Sequence, residues 1–170
     1  TWLVAGSQDV WDYAISIARD AYASGFDEIQ FDYVRFPTDG NLADISYPFF
    51  DSTVITRANQ MKEFYTYVGQ ELSGEIPTSV DLFGLTTSAL DDMGMGQILE
   101  NAAPNFDFIS PMVYPSHYAP GSYGYKDPNQ YPYEIVKKAL EDGIAKLTVA
   151  TISPLKLRPW LQDFDYGGRY

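Results

Sequence analysis

The chain has 170 residues, 45% hydrophobic and 16% aromatic, enough for one sizeable core and too rich in core-forming residues for a disordered tail. Its 23 acidic and 11 basic residues give a net charge of -12, a balance that disfavours nucleic acid and anionic lipid and suits a neutral or cationic ligand. The absence of cysteine and the single histidine exclude disulfides, thiolate nucleophiles and multi-histidine zinc centres, so neither cofactor nor metal is expected. No window approaches the roughly 20 apolar residues of a membrane span, and no basic segment followed by an apolar run opens the chain. A soluble single domain over residues 1–170 is the expectation, and its acidic, cysteine-free, tyrosine-rich character suits an exported bacterial protein.

In chain order, Val10, Ala14, Ile17, Ala18 and Ala21 fall on one face of a helix over residues 10–24, with Ser7 or Asp9 to cap it and Gly25 to end it. A strand follows over residues 28–36, with Ile29, Phe31 and Tyr33 on one face, Gln30, Asp32 and Val34 on the other, and Pro37 as the stop. Met61, Phe64, Val68 and Leu72 mark a second helix, closed by Ser73 and Gly74, and a strand over residues 79–83 comes next. A short helix over residues 96–103, ended by Pro104, leads to an apolar strand over residues 106–114. Pro132 opens the clearest helix, residues 133–147, with Ile135, Val136, Ala139, Leu140 and Ile144 as its stripe. Residues 148–154 read as a linker into a last strand over residues 157–164.

Alternating helices and strands require a parallel sheet with right-handed crossovers. Long loops follow the strands and short ones the helices, which suits a (β/α) TIM-type barrel, whose chemistry sits on the loops after each strand. A Rossmann sheet would want a glycine-rich first turn that is absent. A whole barrel takes about 250 residues, so this chain reads as an incomplete one of roughly four to five strand-helix units. The remaining walls would come from the same polypeptide or from a second copy, since an open barrel leaves two edge strands uncovered, and the chain alone is expected to be inactive.

The candidate chemistry lies at the strand ends. Asp32, on the inward face with Gln30 and followed by Arg35, could attack an anomeric carbon or stabilise an oxocarbenium ion. Its bland alternative is a buried Asp–Arg pair tying strand to loop. Asp81 alternates with apolar Val80 and Leu82, and packing against Phe83 would raise its pKa, as a general acid needs; the alternative is an aspartate that fixes a loop. Asp163 is a weaker third carboxylate. Tyr114, His117 and Tyr118 after the third strand, with Trp160 and Gln162 on the last, supply flat rings and polar groups for sugar faces and hydroxyls. A lone loop histidine without a nucleophile is at most a substrate contact.

The strings GFDEIQFDYVRFP at 25–37, SVDLFG at 79–84, DFISPMVYPSHYAPGSYG at 107–124 and LRPWLQDFDYGGRY at 157–170 resemble a bacterial glycoside hydrolase domain family, formerly of unknown function, in the TIM-barrel glycosidase group. The resemblance implies a barrel that lacks, in this chain, its first strands and its last. Looser similarity to the α-amylase and α-galactosidase barrels implies Asp32 as nucleophile and Asp81 as acid/base. Gln30 stands where those barrels have an arginine, and Asp81 where they have a glutamate. The expected function is cleavage of a cell-envelope or extracellular polysaccharide by Asp32 and Asp81, with Gln30, Arg35, Tyr114, His117, Tyr118, Trp160, Gln162 and Asp163 in contact with the sugar. The competing expectation is a barrel that binds glycan without cleaving it. A metal-dependent deacetylase would need more than one histidine.

Overall fold

The computed structural model describes residues 3–166. Helix α1 (Gln8–Ala23) buries Trp11, Ile15 and Ala18. Its first turn is held by the Ser7 carbonyl, which accepts from the Val10 and Trp11 N–H groups, and no side chain caps it. Gly25 follows at φ 104, the left-handed exit that glycine supplies without strain. Strand β1 (Ile29–Phe31) is much shorter than its hydrophobic run. Tyr33 takes φ 53, which breaks the alternation, so its ring turns out while Val34, Arg35 and Phe36 become the buried residues.

Helix α2 (Arg57–Leu72) starts at Thr56, whose hydroxyl accepts from the Asn59 N–H at 3.1 Å. It lays Phe64, Tyr65, Val68 and Leu72 on the sheet. Strand β2 (Thr78–Phe83), the short helix α3 (Leu99–Ala102), strand β3 (Phe108–Val113), helix α4 (Pro132–Val149) and strand β4 (Trp160–Leu161) complete the order. Pro132 sits in the first turn of α4, as its missing N–H predicts, and the helix runs two residues past Leu147 into the segment read as linker. The last strand shrinks to two residues plus a bridge between Leu157 and Ile109.

The strands pair in chain order, all parallel: Phe31 beside Val80, Asp81 beside Ser110, Met112 beside Trp160. Val80, Leu82 and Ile109 point to the helices and are fully buried, each contributing about 1.5–3 kcal/mol. The opposite face carries the polar residues. There Arg158, just before β4, pairs with Glu28, just before β1, although two strands lie between them. Three gaps of about 4.8 Å would hold these residues roughly 14 Å apart in a flat sheet, beyond the reach of side chains that stand upright from it. The sheet is therefore curled into a half-barrel with helices outside, an incomplete (β/α) barrel. Among the described residues, no helix is long and apolar enough to cross a membrane.

Candidate active site

The SVDLFG segment shows how the fold builds the site. Ser79, Asp81 and Phe83 share the concave face, while Val80 and Leu82 anchor the strand in the core. Gly84 ends the strand against β3: a Cβ there would lie 2.3 Å from the Met112 carbonyl oxygen, so only glycine lets the two strand ends approach. Asp32 comes one residue after Phe31, which pairs with Val80, and this register sets it level with Asp81 on the neighbouring strand. Both carboxylates line one open cavity of about 320 Å³, together with Tyr33, Arg35, Phe83, Gln97, Tyr114 and His117.

Asp81 is only 8% exposed. Its Oδ1 accepts from Trp160 Nε1 at 2.9 Å and from Gln30 Nε2, which leaves Oδ2 as the oxygen able to carry a proton. Burial raises its pKa, and the negative charge of Asp32 pushes the same way, while the Trp160 and Gln30 donors and the Arg158 charge pull against it. Tyr114, at the end of β3, is also raised, by burial first and then by Asp81 and Asp32, so its hydroxyl stays protonated. Asp32 accepts from the Tyr33 N–H at 2.7 Å. Below this tier Glu28 takes Arg158 and the Ser79 hydroxyl, at 2.6 Å, and Arg158 lies 4.3 Å over the Phe108 ring. The guanidinium holds Glu28 below the usual carboxylate range.

The other residues anticipated from sequence divide. Arg35 is buried, forms an ion pair with Asp39 at 3.4 Å, and stacks its guanidinium 5.2 Å from the Phe83 ring centre. His117 lines the cavity, with Nδ1 2.9 Å from the Ser116 hydroxyl and its ring beside Tyr114, Phe164 and Tyr166. Tyr118 reaches the cavity wall but is 6% exposed and packs with Val113, Ile135 and Ala139, and burial pushes its hydroxyl up. Gln162 braces the loop after β3 by accepting from the Ser116 N–H at 3.1 Å. Asp163 is exposed and is not among the residues lining the cavity. Among the described residues no three histidine or carboxylate side chains gather as metal ligands do.

Sequence reasoning missed Gln97, Glu28 and Arg158. Gln97 is fully buried: its Oε1 accepts from the Phe83 N–H at 2.9 Å and its Nε2 donates to the Val34 carbonyl at 3.2 Å. It thereby joins the loop after β1 to the end of β2. No local pattern marks that amide, since its partners lie 14 and 63 residues away. Glu28 and Arg158, 130 residues apart, meet only because the sheet curls.

Three solved structures share this fold. The spore cortex-lytic enzyme SleL of Bacillus megaterium QM B1551 matches with TM-score 0.57 and 17% identity over 98% of this chain and 34% of its own. SleL of Bacillus cereus gives 0.58 and 17% over 91% of this chain and 30% of its own. The glycoside hydrolase domain of PgaB (BpsB) from Bordetella bronchiseptica gives 0.59 and 14% over 98% of this chain and 51% of its own. The chain thus spans between about a third and a half of these structures. Among curated protein sequences none matches. With residues 1–169 matching its profile, the chain belongs to the family described as "Putative glycosyl hydrolase domain".

Proposed function

We propose that this chain carries the carboxylate pair of an enzyme that hydrolyses glycosidic bonds, with Asp81 as proton donor and Asp32 as the anionic partner at the anomeric carbon. The observation that carries the reading is the cavity shared by Asp32 and Asp81, where the buried acid has a raised pKa and one oxygen left for the proton. Asp81 Oδ2–H would protonate the glycosidic oxygen as the C1–O bond breaks, while the Asp32 carboxylate attacks C1 or offsets its positive charge. Water then completes the sugar's hemiacetal and its proton restores the acid. Gln30 and Trp160 orient Asp81, and Tyr114 and His117 face the sugar.

The substrate class we infer is an extracellular or cell-envelope polysaccharide, supported by an acidic chain unsuited to polyphosphates and by the names of the two cortex-lytic neighbours. We infer that the remaining barrel walls come from elsewhere in the same polypeptide or from a second copy; this chain spans between about a third and a half of each neighbour.

The test is leaving-group dependence in the full-length protein. Asp81→Asn should lower kcat/KM for oligosaccharides about 10²–10⁴-fold, yet barely affect kcat/KM for dinitrophenyl glycosides, whose leaving group needs no proton. Equal losses of kcat/KM on both substrates would remove Asp81 from the role of acid.

A further inference from the structure

Tyr33 combines two features that a structural tyrosine avoids. Its backbone is left-handed, at φ 53, a region disfavoured for any residue with a Cβ, and its ring is 66% exposed to water. Its surroundings enforce that conformation. The Asp32 carboxylate takes the Tyr33 N–H at 2.7 Å, and the Tyr33 carbonyl accepts from the Arg35 N–H at 2.8 Å. The next carbonyl, of Val34, accepts from both Tyr65 and Gln97. Beneath the ring, the Arg35 guanidinium lies 5.5 Å from its centre and is backed by Phe83. The result is an aromatic ring steadied by a cation, at the edge of the cavity that Asp32 and Asp81 share.

Strain kept in place by so many contacts, to present a side chain that buries little, marks a functional position. We propose that Tyr33 is a stacking platform for a pyranose ring entering the Asp32–Asp81 cavity, and so a specificity-determining contact for the substrate; this rests on the glycan-cleaving reading above. A flat ring suits the C–H face of a sugar, and the two neighbouring carboxylates disfavour an anionic ligand. Because the Asp32 side chain accepts the Tyr33 N–H, the platform and the reacting carboxylate are held one residue apart. The stacked sugar is thereby registered against the anomeric centre.

A merely structural Tyr33 and a platform respond oppositely to substitution. In full-length protein carrying Asp81→Asn, so that bound sugar persists, Tyr33→Gly and Tyr33→Asn relieve the left-handed strain and should raise Tm by about 2–4 °C. The same variants should weaken binding of short glucose, galactose or N-acetylglucosamine oligosaccharides, measured by titration calorimetry, about tenfold. Tyr33→Phe, which keeps the ring, should bind within about threefold of the parent. A lowered Tm with unchanged sugar affinity in the Gly and Asn variants overturns the platform while leaving the glycan reading intact. A parent protein that binds neither these oligosaccharides nor any cell-envelope or extracellular polysaccharide overturns both.

Discussion

Replacing Arg158 by methionine and Glu28 by glutamine, singly and together, measures the pair that joins the first and last strands across the concave face. The side chains are 46% and 26% exposed, so screening confines the ion pair to the upper part of the surface range, about 1 kcal/mol. The stack of Arg158 over Phe108 adds about 0.5–1 kcal/mol that Glu28 does not share. Arg158→Met should therefore cost about 1.5–2 kcal/mol at pH 7, Glu28→Gln about 1 kcal/mol, and the double-mutant cycle should return a coupling near 1 kcal/mol from urea denaturation. Glu28 is held below its ordinary value of 4.5, so this stability is present above that pH and is lost as pH falls through the lower, folded-state pKa. The coupling should be full at pH 7 and vanish in strong acid. A cycle that closes to zero at pH 7, or is unchanged by acid, would refute the argument that this pair holds the curl.

Gln97→Leu leaves the Phe83 N–H and one bond of the Val34 carbonyl without their partner, and should cost about 1–3 kcal/mol in urea denaturation while loosening the loops on either side of the carboxylates. Gly84→Ala drives a methyl group against the Met112 carbonyl and should cost about 1–3 kcal/mol, read as a lower midpoint at unchanged slope. Asp81 is raised from its ordinary 3.8, so the folded state keeps that proton longer than the unfolded chain does. Its contribution to stability therefore falls as pH rises from 3.8 through the higher folded-state pKa. Asp81→Asn should remove that decline and leave the protein more stable than wild type at pH 7. Denaturation curves at several pH values decide this, and a less stable variant would mean that Asp81 is structural.

The helices, the parallel order and the convergence of Asp32 with Asp81 were legible because each rests on a local signal: apolar periodicity, Pro132 at a helix start, a carboxylate flanked by core-facing Val80 and Leu82. Alternation failed at Tyr33. The hydrophobic run continues through it, but the left-handed backbone moves the ring from the expected core face to the rim. The same over-reading extended the last strand to residue 164, whereas pairing stops at Leu161. Trp160 was legible as inward-facing, yet its bond to Asp81 depends on a register 79 residues away. Glu28, Arg158 and Gln97 were invisible for that reason: each is an ordinary polar residue until the fold brings distant segments together.

The most direct measurement is release of reducing ends from purified cell-envelope and extracellular polysaccharides by the full-length protein and its Asp32→Asn variant, with binding to the same glycans followed in parallel. The account predicts that the substitution lowers turnover by at least about 10²-fold while glycan affinity changes little. Undiminished turnover by Asp32→Asn would contradict it.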